Sequence, residues 1–129
     1  MTDEVNQQFP CSYNNIIEAT NLSGFTMASD VLTCSLLRTL SASKPSGKFL
    51  ELGTGTGLST AWILDGMDTA SSLISIDNDA AFVEIAKRIL GNDNRLNLVV
   101  RMAANGSKKI KLKNLIIFLL IHGMENTWY

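Results

Sequence analysis

The chain has 129 residues, a formal net charge of −1, 46% hydrophobic residues and 18% charged ones. That balance fits one small globular domain and excludes collagen-like, low-complexity and wholly disordered classes. Near-neutral charge argues against a nucleic-acid partner held by bulk electrostatics. No apolar run is long enough to span a bilayer, and residues 1–9 lack the regions of a signal peptide. Cys11 and Cys34 form neither a CxxC pair nor a disulfide framework. The expectation is a cytoplasmic protein with no membrane partner.

Residues 1–23 read as a polar segment followed by a short helix, Tyr13 to Thr20, carrying Ile16 and Ile17. Asn21 to Gly24 reads as a break. A stronger helix is predicted from Met27 to Ala42, with Ser29 and Asp30 as capping candidates. Its Leu32, Leu36 and Leu40 recur every four residues beside Leu37, which predicts an apolar, core-facing stripe. Ser43 to Gly47 reads as a turn. Lys48 to Leu52 is a short strand, Gly53 to Gly57 a glycine-rich loop, and Leu58 to Leu64 a helix closing near Gly66. Ser72 to Ile76 forms the next strand and stops at Asp77. Asn78 is placed to cap a helix running to Leu90, with Phe82, Ile85, Ala86 and Ile89 on one face; Gly91 ends it. Leu96 to Val100 is a third strand. Strand, helix, strand, helix, strand in some fifty residues predicts an α/β fold with a parallel sheet and helices on both faces.

The informative stretch is Leu50-Glu51-Leu52-Gly53-Thr54-Gly55-Thr56-Gly57. Glycines let a backbone turn sharply and approach a ligand closely, and this loop feeds a helix N-terminus whose free N–H groups favour negative charge. Asp77 ends the next strand twenty residues beyond Gly57. Adjacent parallel strands would set its carboxylate beside the loop, where it can accept both hydroxyl protons of a ribose. The dinucleotide pattern GxGxxG fails, because its last glycine falls on Leu58, and no phosphate-binding GxxxxGK[ST] is present. Glu51 is open to two readings: an acid belonging to the loop, or a strand-end acid paired with Lys48.

The pattern GxGxG preceded by an acid resembles motif I of class I S-adenosylmethionine-dependent methyltransferases. Glu51, Gly53, Gly55, Gly57 and Asp77 are the positions that match. With the helix preceding the motif, the stretch over residues 24–100 is similar to small bacterial O-methyltransferases related to the catechol and caffeoyl-CoA enzymes. The resemblance implies a partial Rossmann-like methyltransferase fold and an S-adenosylmethionine-binding half-domain over 24–100. It implies methyl transfer, expected to oxygen on a small-molecule acceptor. The three glycines would lie at the methionine end of S-adenosylmethionine, Asp77 at the ribose, Glu51 beside them and Asn78 at the adenine. No catalytic base and no metal ligand is assigned. The alternative is a non-catalytic fragment, or a Rossmann-like module binding a nucleotide or adenosyl ligand.

Residues 101–129 are atypical. Lys108, Lys109, Lys111 and Lys113 precede the apolar run Leu115 to Ile121, and the family's usual acid after the third strand is missing. Two readings follow. In the first, one base lost between Val100 and Met102 has shifted the frame. Read one base earlier, the tail can spell Asp-Gly-Gly-Glu-Trp-Ile, then a hydrophobic strand ending in Ala-Asp. In the second, the tail is a genuine divergent C-terminus in which Leu115 to Ile121 forms a buried strand. Coding DNA across codons 98–103 decides between them. Under the first reading His122 carries no role, Trp128 and Tyr129 are terminal, and the truncated sheet exposes an edge through which the chain self-associates.

Overall fold

A computed structural model describes residues 8–26, 28–101 and 115–119. Along these the chain forms α1 (Tyr13–Ser23), α2 (Val31–Ala42), β1 (Lys48–Leu52), α3 (Leu58–Gly66), β2 (Ser72–Asp77), α4 (Ala80–Leu90), β3 (Leu96–Val100) and β4 (Leu115–Leu119). The four strands make one parallel sheet in the order β3-β2-β1-β4. The α/β methyltransferase-like layout expected from the sequence is therefore present, with one strand beyond the three that the sequence marks clearly. The β4 run has no polar–apolar alternation, the pattern that marks a half-buried strand. Strands of parallel sheets commonly read as continuous apolar runs, so alternation is the wrong criterion there. The lysine run, His122, Trp128 and Tyr129 lie outside the described residues.

The core gathers on α3, whose residues Leu58 to Leu64 are all buried, against Phe49 of β1, Leu73 of β2 and Ile16 of α1. Trp62 is fully buried at its centre. The Arg38 guanidinium stacks over the indole at 4.5 Å and pairs with Asp65 at 3.1 Å. Phe9 and Tyr13 meet the same ring edge-on, at 5.6 and 6.4 Å between centroids.

Three local expectations are corrected. First, α1 runs through the supposed break to Ser23 and is ended by Gly24 in the left-handed conformation, φ 73°. Second, α4 is capped by Asp79 rather than Asn78. The Asp79 carboxylate accepts from the N–H groups of Ala81 and Phe82, at 2.9 and 3.2 Å. Third, α2 starts at Val31, capped by Asp30 alone, and it is turned the other way. Cys34, Leu37 and Ser41 face the core, while Leu32, Leu36 and Leu40 are 75%, 57% and 41% exposed. Close approach explains the rotation. A Cβ on Gly66 would collide with the Arg38 carbonyl oxygen, so α2 lies nearly against the α3 backbone there. The small side chains of Cys34 and Ser41, on either side of Leu37, suit that spacing.

Neighbouring leucines should therefore behave oppositely. Leu36→Ser is expected to change unfolding free energy by no more than about 0.5 kcal/mol, and Leu37→Ala to cost about 2–5 kcal/mol. Urea denaturation of the two variants checks the orientation.

Candidate functional site

The site forms where β1 and β2 end together. Leu52 pairs with Ile76 in parallel register, so the residues that follow, Gly53 and Asp77, leave the sheet side by side. The Gly53 N–H donates to the Ile76 carbonyl at 2.8 Å and locks the start of the loop to β2. Gly53, Gly55 and Gly57 then take φ values of 105°, 53° and 98°, a region costly for side-chain-bearing residues. Gly57 also has no room: a Cβ there would lie 3.0 Å from Ala86 Cβ and 3.1 Å from Leu90 Cδ1. It serves as N-cap of α3 without a side chain, leaving the first turn of the helix without a side-chain cap.

Asp77 organises the loop through both carboxylate oxygens. Oδ2 accepts the Gly55 N–H at 2.7 Å and Oδ1 accepts the Asp79 N–H at 2.9 Å. Asn78 lies beside it and is exposed. The Phe25 ring closes over Gly55, whose Cβ would lie 2.9 Å from Phe25 Cζ. Phe25 in turn meets Phe82 of α4 at 4.7 Å between centroids. Beside the loop lies a small closed void, too tight for water, lined by Phe25, Ala28, Ser29, Thr54, Thr56, Leu58 and Ser59.

Glu51 is fully buried beneath the loop, and Lys48 is exposed. The two do not pair, which removes the strand-end ion-pair reading. Glu51 Oε1 instead accepts hydroxyl hydrogen bonds from Thr60 at 2.7 Å, Ser75 at 3.0 Å and Ser59 at 3.5 Å. Burial pushes the Glu51 carboxyl up to about 8; the three hydroxyls pull it down in part and the Asp77 charge adds to the rise. Ser75 Oγ also lies 2.6 Å from Thr54 Oγ1, and Thr56 Oγ1 lies 2.8 Å from Thr20 Oγ1 of α1. The two threonines between the glycines are thus anchored below the loop.

A sequence profile of the protein-L-isoaspartate(D-aspartate) O-methyltransferase family matches residues 5–111. The chain belongs to that family. No curated protein matches it by sequence. Among solved structures, the O-methyltransferase TomG from Streptomyces achromogenes, involved in tomaymycin synthesis and in complex with S-adenosylmethionine, is similar with a TM-score of 0.67 and 20% identity. The match covers 74% of this chain and 45% of TomG. An O-methyltransferase from Bacillus cereus, in complex with S-adenosylhomocysteine, gives 0.66 and 15%, covering 77% and 47%. A methyltransferase from Geobacter sulfurreducens gives 0.64 and 22%, covering 77% and 51%. These likenesses establish the methyltransferase fold. The chain spans about half the length of each of the three.

Within this family fold the structure brings five of the six predicted site residues, Glu51, Gly53, Gly55, Gly57 and Asp77, to one end of the sheet, with Asn78 next in the chain and outside the hydrogen-bonded loop. Sequence reasoning missed Thr54, Thr56, Ser59, Thr60 and Ser75. Their signal was the repeated hydroxyl residue around Gly55 and at the start of α3, where apolar residues would ordinarily fill buried positions. Gly57→Ala combines positive φ with a crowded Cβ and is expected to destabilise the fold by about 1–3 kcal/mol. A lowered thermal midpoint relative to the parent measures this.

Proposed function

We propose that the chain carries the S-adenosylmethionine-binding half, residues 24–100, of a methyltransferase acting on oxygen of a small-molecule acceptor. One observation carries this reading: three glycines at positive φ and the Asp77 carboxylate are locked together at the carboxyl ends of adjacent parallel strands. The residues present fit that cofactor. Asp77 has used one acceptor direction on each oxygen, and a carboxylate offers about four, so two ribose hydroxyls can still donate to it. The glycines let the backbone pass close to the methionine end, and the hydroxyls of Thr54, Thr56 and Ser59, bonded to Ser75, Thr20 and Glu51, brace the loop from below. Glu51 Oε2, buried and without a partner among the described residues, leaves acceptor capacity under the loop.

When bound, S-adenosylmethionine supplies an electrophilic methyl group for in-line displacement by the acceptor oxygen. The chain's share is positioning. Asp77 fixes the loop and orients the ribose; Thr54 and Thr56, tied to β2 and α1, hold the loop's shape; α3 presents its N-terminus. Such a reaction draws its rate mainly from alignment of the reacting atoms. Among the described residues no helix is long and apolar enough to cross a membrane, and Cys11 and Cys34 are free thiols. A cytoplasmic setting belongs to the same reading. So does self-association through the β3 edge, where Val100 is 46% exposed; concentration-dependent elution on a sizing column tests it.

Methyl-tritiated S-adenosylmethionine, offered with a panel of catechol-type phenols and an isoaspartyl peptide, tests the activity. Label in a phenol is the expected result. Label in the peptide alone would move the acceptor to a protein carboxyl, the group for which the family is named. Cofactor binding with no label in any acceptor would favour a second reading, a non-catalytic adenosyl-ligand-binding module.

A further inference from the structure

Glu51 has no exposure, and its two oxygens differ. Oε1 is collared by the hydroxyls of Thr60, Ser75 and Ser59, while Oε2 is equally buried and has no hydrogen-bond partner. Among the described residues, no element packed around it supplies a cation. β2 faces it with Ser75 and the Asp77 carboxylate at its end; α3 faces it with Ser59 and Thr60. From α2 comes the Cys34 thiol, pushed up to about 12 by its burial and by the neighbouring Asp30 and Glu51 carboxyls. Arg38 of the same helix is committed to Trp62 and Asp65. On β4 the residue paired with Glu51 is Phe118.

Neither protonation state is therefore satisfied by the described residues. A neutral Glu51 leaves Oε2 without a partner, and an ionised one leaves a buried charge without a counter-ion. Ser59, which contacts Oε1, also lines the closed void beside the loop, so Glu51 lies directly beneath the glycine turn. A positive charge held against the loop supplies what the ionised form lacks.

We propose that Glu51 reads the charge of whatever occupies the glycine-loop site. A cationic ligand binds with release of the Glu51 proton to solvent, and an uncharged ligand of the same shape binds without it. This rests on the cofactor proposed above, whose sulfonium form is cationic and whose demethylated product, S-adenosylhomocysteine, is a neutral thioether. At pH 7 the proton is in place to be released, because burial holds the carboxyl at about 8. Loss of the methyl group removes the ligand's positive charge, Glu51 recovers a proton from solvent, and the product is held less firmly than the substrate form.

Calorimetric titration of the chain with S-adenosylmethionine and with S-adenosylhomocysteine tests this. It is run from pH 6 to 9 in buffers of different ionisation enthalpy, on the parent and on Glu51→Gln. The ligand's own amino group titrates alike against both proteins, so the difference between them belongs to residue 51. The parent is expected to release about one proton more than Glu51→Gln on binding the sulfonium form at pH 7. Its affinity for that form, relative to the variant, should rise roughly tenfold for each pH unit climbed toward 8, with no such rise for the thioether. Carboxyl 13C NMR of the parent alone provides a second readout: the Glu51 resonance should move to its ionised position with the sulfonium ligand only. Equal proton release by both proteins, or an unmoved resonance, overturns the charge-reading role while leaving the cofactor site intact. Absence of binding by either ligand at every pH overturns the cofactor assignment and this inference together.

Discussion

Asp77→Asn is expected to weaken S-adenosylmethionine binding by ~1.5–3 kcal/mol, the range for hydrogen bonds to charged groups, or roughly 10- to 150-fold in Kd. The structure makes the substitution harsher than its shape suggests. Both oxygens of Asp77 accept backbone N–H groups, from Gly55 and Asp79. An asparagine must turn its NH2 toward one of these donors, so one part-buried contact becomes donor against donor. If the NH2 faces Gly55, the middle of the loop loses its bond to Asp77; if it faces Asp79, the entry to α4 loosens. The ribose hydroxyls would also face a neutral group in place of a carboxylate. Calorimetry of parent and variant measures the loss. Equal affinity of the two would show that Asp77 does not hold the ribose.

Glu51→Gln should change how stability depends on pH. In the folded chain the carboxyl titrates at about 8, against an ordinary value of 4.5. Between those values the folded state keeps a proton that the unfolded state has lost. The unfolded state then binds fewer protons, so the stability of the parent falls as pH rises from about 4.5 and levels off above 8. Glutamine carries no charge and escapes this fall. It has a cost of its own, an NH2 in the place of the unpartnered Oε2, worth about 1–3 kcal/mol. The parent should therefore be the more stable protein near pH 5. The variant should be the more stable near pH 8.5. The total swing is on the order of several kcal/mol, because each tenfold difference in proton affinity between the folded and unfolded chain is worth about 1.4 kcal/mol. Urea denaturation of both proteins across this range measures the crossing, and parallel stability curves would contradict a neutral, buried Glu51.

The parts of the fold legible in the sequence are those fixed by local chemistry. The β1–loop–α3 unit is written in a short apolar strand and glycines that positive φ demands, and Asp77 follows from the parallel register of two strands. What sequence reading missed was decided by packing between distant segments. The α2 leucines have ideal amphipathic spacing, yet the helix buries Cys34, Leu37 and Ser41, a face on which two small side chains suit the close approach at Gly66. Asn78 and Asp79 are equally good caps by residue type, and only the geometry at the end of β2 selects Asp79. The burial of Glu51 was the least legible feature. An acid in a strand ordinarily points to solvent, and the three hydroxyls that receive this one come from residues 59, 60 and 75. Glycine spacing marks the type of loop, while the buried hydroxyl network that shapes it depends on the folded arrangement.

The most direct test of the central claim is equilibrium binding of S-adenosylmethionine to the chain, with folding verified on the same sample by circular dichroism. Saturable binding to one site per chain, lost or sharply reduced on replacing Asp77 and weakened on replacing Gly57, is the predicted result. A folded chain that takes up no S-adenosylmethionine, or binds it equally well without the Asp77 carboxylate, would contradict the assignment of the glycine loop as its site.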